Sequence, residues 1–205
     1  MNTPNEQHHI MVDLETGLSF STRPICNEQH HIMVDLETLG TEPGSVIVTL
    51  AAVQFGGQPG RILNTFIRHI RPDSCEAAGL RCNAATALWW LKQSEDARRR
   101  LEEGQKEAIA LDQALKEFGW WLPGERKQRC IWGNGASFDC ALLAAAYRAV
   151  NRALPWSYAG ERCYRTIKAL HPDVPMERQG THHDALDDAK SQALHLMQML
   201  PHSSF

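Results

Sequence analysis

Residues 27–38 read Asn-Glu-Gln-His-His-Ile-Met-Val-Asp-Leu-Glu-Thr, a polar start followed by an apolar run that ends in Asp-x-Glu. A short turn at residues 39–44 separates this segment from a long apolar run at residues 46–55, and residues 62–70 alternate in the manner of a strand. Apolar runs of this length, bounded by Gly and Pro, are typical of β-strands. We therefore predict a three-strand antiparallel meander that begins at this segment.

The same twelve letters occur earlier in the chain, at residues 5–16. The first copy is followed by residues 17–24, Gly-Leu-Ser-Phe-Ser-Thr-Arg-Pro, which have the character of a turn and a loop. The second copy, by contrast, leads into a long buried strand, as a central strand of a meander must. We therefore predict that residues 1–26 are an appended arm and that residues 27–205 form the domain.

Helical patterns fill most of the chain after the meander. Asn83 and Ser94 can each cap a helix, because their side chains accept hydrogen bonds from the first free N–H groups. A short strand at residues 129–132 precedes a helix that Ser137 can cap, and a last helix begins near Asp184. A further helix carries an apolar stripe formed by Leu111, Leu115, Phe118 and Leu122. This order of elements predicts an α/β fold with a mixed sheet flanked by helices.

The composition excludes several classes of protein. The chain has 205 residues, enough for one domain with a sizeable core, and a formal net charge of −3. Contact with nucleic acid would therefore be local rather than driven by a global positive field. The six Cys include no Cys-x-x-Cys pair, which argues against a zinc knuckle or a disulfide framework. No apolar run approaches the ~20 residues that span a bilayer, so we expect a cytoplasmic protein without membrane contact.

Pairs of acidic residues stand at the ends of the two copies. Side chains at i and i+2 of a strand share a face, so Asp35 and Glu37 lie together at the end of the first meander strand. Two adjacent carboxylates repel each other unless a cation lies between them. We predict that this pair binds a metal ion, and that Asp13 and Glu15 of the first copy do not, because nothing downstream completes a second site.

Two further acidic motifs follow later in the chain. Asp139 follows a glycine-rich turn and would lie in the first turn of a helix, where the helix dipole favours a negative charge. Near the last helix, His183 and Asp188 are five residues apart, and so are His182 and Asp187. The spacing alone does not choose between these two pairs.

Taken in order, the three motifs resemble those of a known superfamily. Asp-Leu-Glu-Thr at 35–38, Asn-Gly-Ala-Ser-Phe-Asp at 134–139 and His-Asp-Ala-Leu-Asp-Asp-Ala at 183–189 resemble the motifs of the DEDDh 3′–5′ exonucleases, which have a ribonuclease H-like fold. The likeness covers roughly residues 30–200. It is closest to the bacterial and phage 3′–5′ exoribonuclease-like proteins, through Leu39–Gly44, Leu88–Leu91, Trp132–Gly135 and Arg162–Thr166.

The resemblance implies specific roles for these residues. Two Mg²⁺ or Mn²⁺ ions would be held by four carboxylates, those of Asp35, Glu37, Asp139 and Asp188. The family pattern selects His183 over His182 as the general base, and Asp188 over Asp187 as the ligand. The reaction would release nucleoside 5′-monophosphates from the 3′ ends of single-stranded RNA or DNA. Many members of the superfamily dimerise, so a homodimer is expected by analogy.

Residues that would contact the substrate follow from the same resemblance and from side-chain chemistry. Leu36, Thr38 and Leu39 resemble positions that touch the terminal nucleotide. The aromatic rings that could stack on bases are those of Trp89, Trp90 and Phe138. At least one Trp of the pair is expected in the core instead. Phosphates could meet Arg162, Arg165 and Lys168, although a solvated helix face explains these side chains equally well.

Two other functions remain open at this stage. A catalytically silent nucleic-acid-binding domain of the same fold would have no need of all five catalytic residues. A zinc hydrolase could instead use the paired histidines at residues 8–9, 30–31 and 182–183. The absence of a His-Glu-x-x-His motif and of paired Cys weighs against this second alternative.

Overall fold

The computed structural model describes residues 10–12, 19–21, 29–56 and 61–200. Strand β1 (Ile10–Val12), in the first copy of the repeat, pairs antiparallel with β2 (Ser19–Ser21) in a separate two-stranded sheet, so the prediction of a turn and loop for residues 17–24 was wrong at 19–21. Asp13 and Glu15 lie outside the described residues, so the prediction about them stays a prediction. The division of the chain at residue 26 likewise stays a prediction.

The main sheet has five strands in the order β5-β4-β3-β6-β7. The strands are β3 (His30–Thr38), β4 (Ile47–Gly56), β5 (Arg61–His69), β6 (Arg129–Gly133) and β7 (Glu161–Cys163). The first three form the predicted antiparallel meander, and β3 also pairs in parallel with β6, as β6 does with β7. The mixed α/β sheet is therefore confirmed, with the second copy of the repeat as its central strand.

Seven helices are found in the described part of the chain. They are α1 (Pro72–Ala77), α2 (Ala84–Trp90), α3 (Glu95–Gln105), α4 (Leu111–Trp121), α5 (Asp139–Ala149), α6 (Tyr164–Leu170) and α7 (Ala185–Met199). Asn83 and Ser94 cap α2 and α3 through their side chains, as predicted. None of the helices in these ranges is long and apolar enough to cross a membrane.

The prediction that Ser137 caps α5 was wrong. The residue before this helix is Phe138, which makes no side-chain cap, and Ser137 is exposed. The turn is closed instead by the carbonyl of Gly135, which accepts from the N–H groups of Phe138 and Asp139 at 2.8 and 3.0 Å. The carboxylate of Asp139 accepts the Gly135 N–H in return, at 3.2 Å. The carboxylate of Asp139 therefore closes the turn that leads into α5, and no side chain caps the helix itself.

Strand β3 divides its side chains between two apolar layers. Ile32, Val34 and Leu36 are buried on one face with residues of α4 and α5, as the alternation predicts. Met33 is buried on the other face, against Ala193 and other residues of α7. Asp35 and Glu37 continue that second face beyond Met33. The alternation of β3 therefore directs both carboxylates towards the last helix of the chain.

Candidate active site

A cavity of about 570 Å³ opens where β3 and β6 end. Its walls come from α2, α6, α7, the turn before α5 and the loop before α7. All five predicted catalytic residues line it, namely Asp35, Glu37, Asp139, His183 and Asp188. The parallel pairing explains the convergence, because β3 and β6 end at the same edge of the sheet and deliver Asp35 and the turn to Asp139 together.

The two carboxyls of β3, one buried (Glu37) and one partly buried (Asp35), lie among other acidic groups. Burial raises the pKa of Asp35 well above its usual range, and the charges of Asp139, Glu37 and Asp188 raise it further. Burial also raises the pKa of Glu37 from 4.5 to about 9, with Asp188 the strongest of its negative neighbours. Only 8% of Glu37 is exposed to solvent. Crowded carboxyls of this kind fit a divalent cation, because its charge favours their ionised forms and hard oxygen ligands suit it.

Asp139 is the first residue of α5 and is buried at the end of β6. Burial raises its pKa to about 6, although backbone N–H groups such as that of Gly135 act to lower it. A Cβ atom at Gly133 would lie 2.8 Å from the Cβ of Asp139, so the glycine makes room for this carboxylate. The glycines of the Gly-Asn-Gly turn thus allow the backbone to approach the Asp139 side chain closely.

Asp188 lies in the first turn of α7 and is surrounded by donors. Its Oδ2 accepts the backbone N–H of His183 at 3.0 Å and lies 3.3 Å from Nδ1 of His182. Its Oδ1 accepts from the guanidinium of Arg178 at 2.9 Å. Asp187 does not line the cavity; its carboxylate accepts the Thr181 N–H at 2.9 Å. Of the two acids that the spacing left open, Asp188 is therefore the one that faces the cavity.

Both histidines of the pair line the cavity. Their rings stack with centroids 3.8 Å apart, and one ligand atom from each lies within 4.8 Å of an Asp188 oxygen. His183 has a φ of 64°, which is uncommon for a residue other than glycine. The centroid of its ring lies 5.0 Å from the centroid of the Trp89 ring. Burial lowers the pKa of His183, and the neighbouring His182 lowers it further. These contacts favour a neutral imidazole at the cavity wall.

The histidines of β3 lie away from this cluster. His31 is buried and accepts a hydrogen bond at Nδ1 from the indole Nε1 of Trp132, at 3.0 Å. Burial lowers its pKa to about 4. Neither His30 nor His31 lines the cavity, and residues 8–9 are outside the described part of the chain. The histidine pairs that the zinc alternative requires are thus not brought together among the residues the structure describes.

The structure places some of the predicted substrate contacts at the cavity and others in the core. Five of them line the cavity, namely Leu36, Thr38, Trp89, Trp90 and Phe138. Leu39 instead packs against the main core. Trp90 is buried and its Nε1 donates to the Thr38 carbonyl at 2.9 Å, whereas Trp89 is 42% exposed. One Trp of the pair is therefore a core residue, as expected, and the other is available at the rim.

The basic residues near the cavity behave differently from one another. Arg165 and Lys168 of α6 line the cavity wall. Arg162 does not, and its guanidinium donates to the carbonyls of Ala159 and Glu161 at 2.6 and 3.0 Å. The first two side chains can therefore meet an anionic ligand in the cavity, whereas Arg162 stabilises the chain around β7.

Among the cavity residues that sequence reasoning missed, Arg178 and Gln192 form hydrogen bonds to the predicted metal ligands. Arg178 reaches Asp188 from a loop without periodic structure, so no pattern indicates it. Gln192 donates from Nε2 to Oδ1 of Asp35 at 2.7 Å. It lies one helical turn after Asp188, and that i, i+4 spacing was a signal that both side chains face the same way.

Most of the chain matches a known protein family. Residues 30–200 match the 3′-5′ exoribonuclease Rv2179c-like domain. The chain belongs to the Rv2179c-like family. The match confirms the resemblance drawn from the three motifs, and membership of the Rv2179c-like family supports a 3′–5′ exonuclease of the DEDDh type. A comparison with curated proteins found no match.

Solved structures share the fold of this Rv2179c-like domain at low identity. The nuclease domain of 3′hExo, described as a DEDDh family member bound to rAMP, is 16% identical with a TM-score of 0.58, over 83% of this chain and 91% of its own. The cell-death related nuclease 4 is 14% identical with a TM-score of 0.55, over 83% and 63%. E. coli exonuclease I in complex with a dA16 oligonucleotide is 15% identical with a TM-score of 0.58, over 81% of this chain but 39% of the exonuclease. These similarities confirm the ribonuclease H-like exonuclease fold.

Proposed function

We propose that the protein hydrolyses the terminal phosphodiester bond of RNA or DNA from the 3′ end and releases nucleoside 5′-monophosphates. One observation carries the proposal. Four carboxylates from three elements, β3, α5 and α7, converge in one cavity beside a pair of histidines. Family membership and the oligonucleotide-bound neighbours support it.

Two Mg²⁺ or Mn²⁺ ions would be held by the four carboxylates, those of Asp35, Glu37, Asp139 and Asp188. When bound, the ions neutralise the phosphate charge, activate a water molecule and stabilise the leaving oxygen. Without a cation, desolvation and the charges of neighbouring carboxylates disfavour the charged forms of Asp35 and Glu37. The cluster is therefore suited to bind cations rather than to remain charged on its own.

His183 would accept the proton of the attacking water. As the water oxygen bonds to phosphorus, its proton passes to the imidazole, and the bond from phosphorus to the 3′ oxygen of the preceding nucleotide breaks. A base must be neutral to accept that proton, and burial favours the neutral form of His183. The backbone N–H of His183 also donates to Asp188, which fixes the position of the base relative to a metal ligand.

The terminal nucleotide would be held by cavity residues on both sides of the metal cluster. Trp89 and Phe138 can stack on bases without selecting a sequence. Arg165 and Lys168 can bind phosphate oxygens from α6. Leu36 and Thr38 supply the floor next to the ligands. This local set of cations agrees with a chain whose net charge is −3.

A single assay tests the function. 5′-labelled single-stranded RNA and DNA are incubated with Mg²⁺ or Mn²⁺, beside the Asp35→Ala variant and the matched Asp173→Ala variant, in which an exposed carboxylate is removed. A ladder that shortens from the 3′ end, and that disappears only in Asp35→Ala, supports the proposal. Binding without cleavage in all three proteins would instead indicate a silent nucleic-acid-binding domain. Activity with Zn²⁺ alone would indicate the zinc hydrolase.

A further inference from the structure

Gln192 is a buried polar residue on the cavity-facing side of α7. It is 6% exposed and lines the cavity one helical turn after Asp188. Its buried neighbours on α7 include the apolar Ala189, Ala193 and Leu196, beside the polar Asp188, Ser191 and His195. An amide in such surroundings costs free energy unless its polar atoms are paired.

The structure pairs only one side of this amide. Nε2 of Gln192 donates to Oδ1 of Asp35 at 2.7 Å. The buried Oε1 has no hydrogen-bond partner within the described part of the chain. The opposite amide orientation would place Oε1 against the ionised carboxylate that a bound cation favours, with two acceptors facing each other. A hydrophobic residue of similar size would avoid the cost of the unpaired oxygen, so packing alone does not explain a glutamine here.

We propose that Gln192 is a positioning residue for the metal cluster. By donating to one oxygen of Asp35, it fixes the carboxylate of β3 relative to α7, on which Asp188 lies. The spacing between ligands from two distant parts of the chain is thereby set by one side chain. This inference rests on the proposed function, since it assigns Gln192 to the cation site of that reaction.

The test compares Gln192→Leu and Gln192→Asn with Gln198→Leu, an exposed glutamine on the same helix. Leu removes the donor, and Asn keeps an amide that is one methylene too short to reach Asp35. Mn²⁺ binding is measured by calorimetry without nucleic acid, and kcat and KM for a labelled oligonucleotide are measured across a Mn²⁺ titration. Substitution of a residue that orients a metal ligand typically weakens metal affinity or activity by about 10–100-fold.

We expect both Gln192 variants to bind Mn²⁺ at least about tenfold more weakly than wild type, with oligonucleotide KM unchanged at saturating Mn²⁺. The Gln198→Leu variant should match wild type in both measurements. Mn²⁺ affinities within about twofold of wild type in both Gln192 variants would overturn the inference. If wild type binds Mn²⁺ but does not shorten 3′ ends, the proposed function fails, while the Mn²⁺ comparison still decides the role of Gln192.

Discussion

The Glu37 carboxyl should make the protein, when freed of divalent cations by a chelator, less stable as the pH rises. Its pKa is raised from 4.5 to about 9 in the folded protein, chiefly by burial and then by Asp188. Below pH 4.5 both folded and unfolded states carry the proton. Between 4.5 and 9 the folded state keeps the proton while the unfolded chain loses it. The stability that the protonated Glu37 contributes is therefore fully present below pH 4.5 and is lost as the pH rises from 4.5 towards 9.

The size of this loss of stability follows from the difference between the pKa values of Glu37 in the folded and unfolded states. Each pH unit within it costs about 1.4 kcal/mol, so Glu37 alone removes on the order of 3 kcal/mol of stability between pH 5 and pH 7. The Glu37→Gln variant has no such proton to lose. For a chain of this size, about 2–4 °C of melting temperature corresponds to each kcal/mol. The variant should thus gain roughly 5–11 °C relative to wild type as the pH rises from 5 to 7.

Scanning calorimetry in a chelator, at several pH values, measures this difference. Glu42→Gln, which changes an exposed carboxylate in the turn after β3, is the matched control and should show no such gain. Addition of Mn²⁺ at pH 7 should then stabilise wild type more than Glu37→Gln, because the cation favours the ionised carboxylate. A melting-temperature difference between Glu37→Gln and wild type that stays constant with pH would refute the reasoning.

Three further outcomes are expected from the site. Asp35→Ala should abolish 3′-end shortening while Asp13→Ala retains it, because the first copy of the repeat has no downstream motifs to complete a site. The reverse pattern in the same gel assay would contradict the assignment of the metal site to the second copy. His183→Ala should lower kcat by about 10²–10⁴-fold, the usual contribution of a general base, and His182→Ala by much less; equal losses in single-turnover kinetics would argue against this choice of base. Trp89→Ala should raise KM for an oligonucleotide by about 5–150-fold, because the lost stacking contact is worth ~1–3 kcal/mol. Leu88 is an exposed neighbour of Trp89 on α2, and Leu88→Ala should leave KM unchanged.

Sequence reasoning worked best where one local pattern determines one element. The apolar runs of β3 and β4 and the caps at Asn83 and Ser94 each act over a few neighbouring residues, and the structure bears them out. Strand β7 has three residues and α1 has six, too few to show a period, so neither was predicted. The Ser137 cap was wrong because α5 begins later than expected, with Phe138 as the residue before it, and the turn is closed by the Gly135 carbonyl and the Asp139 carboxylate instead.

Contacts between distant residues account for what the sequence could not show about the site. The three motifs identified the carboxylates because each motif is local and their order is distinctive. The spacing of the motif left Asp187 and Asp188 open, the family pattern selected Asp188, and the structure shows that Asp188 lines the cavity whereas Asp187 does not. The bond between Gln192 and Asp35 joins residues 157 positions apart, and no local pattern encodes a contact of that kind.

The residues of the site lie far apart in the sequence, so they leave the ribosome at different times. Synthesis proceeds from the N-terminus, so β3 with Asp35 and Glu37 leaves the ribosome long before α7. A nascent chain that has emerged only as far as α6 has two of the four proposed ligands on β3 and a third on α5, but neither Asp188 nor His183. The proposed nuclease therefore gains its full catalytic set only after α7 has followed β3 and α5 out of the ribosome.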